Sequence, residues 1–471
     1  MNDNKPIWRQ ILLFFIPLLG ASFFQLLYNT VDTIIVGRFV GKAALSAVGG
    51  SAGQIYIMTN DFLIGISGGA TVLIAQAYGA KDRKLLDDGL HNAIAIALVN
   101  GALFMCLGIL FSRAALTASH VPADTFDAAL TYMRIVFCGM IPNAVFNMGA
   151  GVLRAAGDSR RPMRYLAACC ILNICLDALF VIVLHMGVGG AAAATILSQT
   201  ICGALVLRAL IGAGRPAGAE GRQAQERHQD SEGLEVREAL PPLSLNRLRI
   251  QRRVAGKMLG IGIPLGMEEL MYTFSCVFLT AAINVFGTDT VAAYAGFVRI
   301  ESFYWMLDAA FAVSITTFVG QNIGAGRMDR VHSVIRQGGA LMFLIMGTTL
   351  AGMFVGCRLL LSVFTTDPAV IEIGVDMMRF LLPFYILYIP SGIFFAALRG
   401  MGDALVPPLI TLFGVCGVRI LWILFVFPHY HTVKGLLLCF PVSWVITGVT
   451  YALYYSHFMR KFDGSTVYSD K

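Results

Sequence analysis

Charge is scarce in this chain: Asp, Glu, Lys and Arg together make up 13% of its 471 residues, about half the share of an ordinary soluble domain. With 57% hydrophobic residues and a mean hydropathy of +0.72, a soluble globular protein of this length is excluded. Runs of about ten residues with alternating polarity are also missing, which excludes an outer-membrane barrel and leaves helices as the spanning elements. No Gly-x-x-x-x-Gly-Lys-Ser/Thr phosphate loop occurs, so direct drive by nucleotide hydrolysis is not expected. The ten cysteines form no Cys-x-x-Cys and share no spacing with histidine, so they read as small apolar packing residues rather than a metal centre or disulfide framework. The eight histidines are scattered, with His429 and His431 as a lone close pair, which argues against a membrane-embedded enzyme. No cofactor is implied. The net charge of +7 comes without a basic stripe interleaved with aromatics, so no nucleic-acid partner is expected.

What the chain does have is apolar runs long enough to cross a bilayer. Twelve occur, near 11–36, 47–76, 90–111, 127–153, 163–185, 190–211, 256–286, 290–320, 335–357, 371–398, 404–428 and 435–457, each matching a hydrocarbon core about 30 Å thick. The first follows Lys5 and Arg9 but continues through Gln25, Asn29 and Asp32 without a small-residue cleavage site, so it reads as a retained helix. With the amino terminus cytoplasmic, the inner loops and tails gather Lys81, Arg83, Lys84, Arg154, Arg160, Arg161, Arg327, Arg330, Arg399 and Arg460. The outer loops hold only Arg38, Lys42, Arg113, Arg358 and Lys434. That asymmetry places both termini in the cytoplasm of a multi-pass protein of a prokaryotic inner membrane.

The chain aligns on itself at an offset near 245. Ala75-Gln76-Ala77-Tyr78-Gly79-Ala80 falls on Gly320-Gln321-Asn322-Ile323-Gly324-Ala325, and Leu153-Arg154-x-x-Gly157-Asp158 falls on Leu398-Arg399-x-x-Gly402-Asp403. Two six-helix lobes are expected, 1–211 and 254–458, joined by a flexible cytoplasmic linker at 212–253 and followed by a cytoplasmic tail at 459–471. Six spans return the chain to its starting side, so the lobes should be related by a pseudo-twofold axis along the membrane normal. This is the plan of an all-α polytopic transporter acting as a monomer on a small organic substrate. A channel would need a selectivity filter or a ring of like charges, and neither occurs.

Asp32 and Asp177 are the telling residues, because a carboxylate near the centre of a lipid-spanning helix costs roughly 2.5 to 3.5 kcal/mol on insertion scales. Asn173 and Asp177 are four apart and share a helix face. Thr195 offers a hydroxyl or backbone oxygen from a third span. Hard oxygen ligands of this kind suit Na⁺, and two nearby carboxylates can instead share a proton.

Pro17, Val31-Asp32-Thr33, Asn173-x-x-x-Asp177, Gly189-Gly190-Ala191 with Thr195, and the paired loops resemble the multidrug and toxic compound extrusion (MATE) transporters of prokaryotes. The resemblance covers nearly the whole chain outside the linker, and is nearest to the branch with its cation site in the amino-terminal lobe. It implies antiport of organic, often cationic, compounds against inward Na⁺ or H⁺. Asp32, Asn173, Asp177, Thr195 and Ala191 are the implied coupling-ion site, and Pro17 is a candidate hinge. In the second half Leu279, Val418 and Trp422 stand at the duplicates of Asp32, Asn173 and Asp177. Tyr272 and Tyr388 stand where another branch carries acids. Candidate substrate-cavity residues are Gln25, Asn29, Asp61, Glu268, Glu269, Tyr272, Glu301 and Asp308, with Arg299, Arg379 and Arg419 as potential neutralising partners. A lipid-linked oligosaccharide flippase of a related superfamily is the alternative, favoured by a strongly cationic cavity.

Overall fold

A computed structural model describes residues 6–41, 44, 48–213, 240–403 and 405–464. Among these residues there is no β-strand. Ten helices are long and apolar enough to cross a membrane, and two further bent pairs bring the spans to twelve. In chain order they are α1 (Ile7–Val40), α2 (Ser51–Gly79), α3 (Arg83–Ala118), α4 (Ala123–Cys138 with Met140–Ala155), α5 (Arg160–Val183) and α6 (Gly187–Ile211). The second half supplies α7 (Arg252–Phe286), α8 (Thr288–Gly324), α9 (Met328–Ser362), α10 (Pro368–Leu387 with Ile389–Met401), α11 (Val406–His429) and α12 (Val433–Arg460). Large side chains such as Val355, Leu359 and Leu453 stay exposed. An apolar outer face of this kind is what hydrocarbon chains cover.

Proline and glycine set the bends. α4 turns by 47° at Gly139, three residues before Pro142, which has no N–H for the preceding turn. α10 turns by 41° between Leu387 and Ile389, with Pro383 and Pro390 on either side. α1 runs on through buried Pro17 without such a break.

The duplicated loops have one physical cause. At the end of α4 the Asp158 N–H bonds Leu153 O at 2.9 Å and the Gly157 N–H bonds Arg154 O at 2.9 Å, with Gly157 at φ +93°. At the end of α10 Asp403 bonds Leu398 O at 3.1 Å and Gly402 bonds Arg399 O at 3.0 Å, with Gly402 at φ +91°. Both are paired helix stops that need a left-handed residue, for which glycine has no Cβ penalty. The aspartate then starts the next helix, Asp158 Oδ1 accepting from the Arg161 N–H at 3.0 Å.

The chain divides into two compact units, one of Leu13–Gly266 with Gly320–Gly326 and the other of Met1–Leu12, Met267–Val319 and Arg327–Lys471. In the first, α2, α3 and α6 surround the second segment of α4, and α5 packs on α6. In the second, α12 packs against α10 and α11, and α9 against α10.

Of the segment expected to be a flexible linker, residues 214–239 lie outside the described residues, and the end that follows them is held. Leu240 and Leu243 are buried. The Leu243 N–H bonds Leu210 O at 3.0 Å, and the Ser244 N–H bonds buried His91 Nε2 at 3.1 Å. The Gln251 N–H bonds buried Asn92 Oδ1 at 2.7 Å, while Asp88 accepts from Arg249 and Gln251 at 2.9 and 2.6 Å. Periodicity in the linker could not show this, because the holding groups sit on the first turns of α3. Asn92→Ala leaves the Gln251 N–H unpaired at a cost of about 1 to 2 kcal/mol. It is expected to speed trypsin cleavage at Arg247 and Arg249 roughly tenfold, read by mass spectrometry of the fragments.

Candidate functional site

The first unit brings the predicted coupling residues together. Asp177 and Asn173 on α5 are fully buried, and Asp32 on α1, Thr195 on α6 and Ala191 one turn before it are buried too. Asp32 lies within electrostatic reach of Asp177. The Asn173 amide sits beside Asp177 without a hydrogen bond of normal geometry. Five oxygens, Asp32 Oδ1, Asn173 Oδ1, both carboxylate oxygens of Asp177 and Thr195 Oγ1, are buried with no hydrogen-bond partner. Among the described residues no lysine or arginine acts on either carboxylate.

That combination decides the chemistry. A buried carboxylate is tolerated when it is paired, hydrogen-bonded or neutralised. Among the described residues these two lack all three, and their unpaired atoms are the hard oxygens that Na⁺ takes or that a proton neutralises. The donor set therefore fits a coupling cation. It does not fit a transition metal, since among the described residues no three His, Cys, Asp or Glu side chains gather.

Three tyrosines at this site escaped the sequence reading. Tyr28 lies beside Thr195, Ser198 and Asp32, Tyr132 is within electrostatic reach of both carboxylates, and Tyr56 accepts from Gln199 Nε2 at 3.0 Å. The signal for Tyr28 was available, since it stands one turn before Asp32 on the same helix face. Tyr132 is set there by the packing of α4, which no local spacing reports. α5 widens to a π-helical segment at Ala178–Val183, directly after Asp177, and such insertions are common at functional sites.

Next to this cluster is a partly open cleft lined by Gln25, Tyr28, Asn60, Asn143, Asn147, Ser198 and Gln199, with Ile64, Phe146 and Leu166 on its apolar side. Asn147 donates to Asn143 at 3.1 Å and Asn143 donates to Asn60 at 2.7 Å, whereas Gln199 Oε1 and the Tyr28 hydroxyl are buried without partners. Its polar lining is mostly amide and hydroxyl. Of the residues expected around substrate, Gln25 lines it. Asn29 is exposed on α1, and Asp61 is half-buried beside Asn60.

The remaining predicted residues belong to the second unit. Glu301 on α8 is buried and accepts from Trp305 Nε1 at 2.6 Å. Tyr272 on α7 packs edge-on to Trp305 at 6.2 Å. Glu268 and Glu269 lie within reach of Arg399, and Asp308 lies beside Tyr304 and Tyr388. Arg419 on α11 closes no ion pair with these acids and instead lies over the Phe440 and Tyr272 rings, 4.3 and 5.6 Å from their centroids. Leu279 is buried in the core, and the Trp422 indole donates to Gly435 O at 2.9 Å.

The MatE family profile matches residues 17–179 and 264–424. The chain is 27% identical over 472 residues to the probable multidrug resistance protein YoeA of Bacillus subtilis, covering 98% of this chain and 96% of that one. It is 29% identical over 423 residues to the probable multidrug resistance protein NorM of Thermotoga maritima, covering 89% and 85%. Among solved structures, an outward-facing multidrug resistance MATE family transporter of the MOP superfamily superposes with a TM-score of 0.84 at 20% identity over 98% of both chains.

Proposed function

Because the chain belongs to the MATE family of multidrug extrusion transporters, we propose that it is a secondary antiporter of the prokaryotic cytoplasmic membrane. It exports organic, often cationic, compounds while Na⁺ or H⁺ moves inward, with both termini in the cytoplasm and one chain as the working unit. The observation that carries this is the set of five buried, unpartnered oxygens with no counter-cation among the described residues. A lipid-linked oligosaccharide flippase has no support from the relatives.

Coupling runs through shared residues. Tyr28 and Ser198 line the cavity, and Tyr28 touches the surroundings of Thr195 and Asp32. A cation that draws α1, α5 and α6 together changes the cavity wall, so substrate and cation stabilise different arrangements of the same helices. An inward-negative membrane potential adds about 2.3 kcal/mol per entering charge for each 100 mV.

The test is export of ethidium from proteoliposomes with an imposed gradient of Na⁺ or of H⁺. One of the two gradients is expected to drive uphill movement, and the matching ionophore to stop it. Movement at the same rate with no gradient, or only with ATP, contradicts antiport.

A further inference from the structure

Arg419 is the one described residue of the second unit whose whole charged head is both buried and unpartnered: it is 1% exposed, and Nε, Nη1 and Nη2 all lack a hydrogen-bond acceptor. The ring of Phe440 faces it at 4.3 Å and that of Tyr272 at 5.6 Å. The ring faces attract the cation but accept none of its five N–H bonds, and the Tyr272 hydroxyl lies close to it without a hydrogen bond of normal geometry. Glu301 lies within electrostatic reach, yet its carboxylate is engaged by the Trp305 indole and the two do not close into an ion pair. A guanidinium left in this state is costly. The chemistry that satisfies it is a planar oxyanion that accepts two N–H bonds at once.

Other buried donors of the second unit also lack hydrogen bonds of normal geometry: the Tyr385 hydroxyl, which lies beside Glu301, Trp444 Nε1, and the Ser275 hydroxyl, which lies beside Cys416. Tyr385 stacks edge-on to Trp444 at 4.7 Å, and Trp444 lies 5.6 Å from Phe440. In the first unit's cluster the orphaned atoms are mainly carboxylate, amide and hydroxyl oxygens, whereas here they are guanidinium, indole and hydroxyl groups set among aromatic faces. The place is also telling. Arg419 follows Val418, the duplicate of Asn173, and its short helical turn Val418–Leu421 is flanked by π-helical segments at Leu412–Gly417 and Trp422–Val426.

We infer that Arg419, with the donors of Tyr385, Trp444 and Ser275, forms an anion subsite in the second unit that takes the carboxylate or phosphate of an aromatic substrate. The inference rests on the antiporter reading and narrows its substrates to include aromatic acids and zwitterions besides plain cations. The duplicated helices α5 and α11 then carry opposite tasks, one holding the coupling cation and the other the acidic group of the cargo.

The experiment is equilibrium binding to the full chain in phosphatidylcholine nanodiscs, with 1-pyrenebutyrate, the uncharged 1-pyrenebutanol and tetraphenylphosphonium as probes. The wild type is expected to prefer the acid over the alcohol about tenfold. Arg419→Met is expected to erase that preference, and Arg419→Lys to keep part of it, with tetraphenylphosphonium binding unchanged in both. Equal affinity of the wild type for acid and alcohol overturns the subsite even where Arg419→Met does not fold, and so does a preference that survives in Arg419→Met. Adding phosphatidylglycerol separates the sources of the anion. Unchanged pyrenebutyrate affinity supports a soluble cargo, and competition in proportion to the lipid makes the occupant a headgroup and overturns the substrate reading. Ethidium export by the wild type under an ion gradient is measured in parallel, so a wild type that exports but shows no preference for the acid rejects this inference alone.

Discussion

Asp177→Asn is expected to reduce gradient-driven export at least 100-fold while exchange of external for internal substrate, which needs no ion gradient, stays within a few-fold of wild type. The side chain keeps its volume and loses its charge, and Asp177 supplies two of the five orphaned oxygens. A coupling cation loses a charged ligand in a buried site, where charge-assisted contacts contribute about 1.5 to 3 kcal/mol each. Asp32→Asn should act in the same direction. The double variant should be little worse than either single one, because residues that serve one bound ion are not additive. A second readout separates coupling from folding. The unpartnered carboxylates destabilise the ion-free protein, so Asp177→Asn is expected to raise the unfolding midpoint in the absence of Na⁺ at neutral pH and to abolish any rise on adding Na⁺ or protons. Export that persists at the wild-type rate in both single variants rejects the site.

Much of this arrangement is legible in the sequence because helices in hydrocarbon have few ways to be built. The twelve spans follow from segment length, and the Leu-Arg-x-x-Gly-Asp repeats announce paired helix stops whose hydrogen bonds the structure then supplies. The first of the duplicated loops hides the same device. Lys81 sits at φ +53° where its counterpart is Gly326 at φ +68°, so the glycine that marks the turn in one copy is absent from the other. Asp32, Asn173, Asp177 and Thr195 were visible because polar side chains stand out against an apolar background. Tyr132 and Tyr385 were not, since an aromatic in a membrane helix looks the same whether it faces lipid, core or a buried charge. Arg419 reads in the sequence as a partner for nearby acids. The structure sets it over two rings instead, with no ion pair to Glu301.

The second large effect lies in backbone contact rather than chemistry. Gly65 and Gly69 on α2 meet Gly262 and Gly266 on α7, each pair four residues apart, and a Cβ on Gly262 would stand 2.6 Å from Ile66 O. Spacing of this kind lets two membrane helices approach at backbone distance, with van der Waals contact as the main attraction. The duplicated loops show the same closeness reciprocally: a Cβ on Gly79 would overlap Gln321 O, and one on Gly324 would overlap Gln76 O. A carbonyl oxygen inside a helix cannot step aside without moving the helix, so the usual overpacking cost of 1 to 3 kcal/mol is a lower bound here. Gly69→Leu and Gly79→Val are each expected to cost about 3 kcal/mol or more, seen as loss of monodisperse protein and an unfolding midpoint lower by several degrees. Gly260→Ala on α7 is the control, because nothing lies within 4 Å of its added Cβ. There the gain in helix propensity, about 1 kcal/mol, should leave stability unchanged or raise it. Equal tolerance of Gly260→Ala and Gly79→Val would mean that α2 and α8 do not approach at the distance the backbone shows.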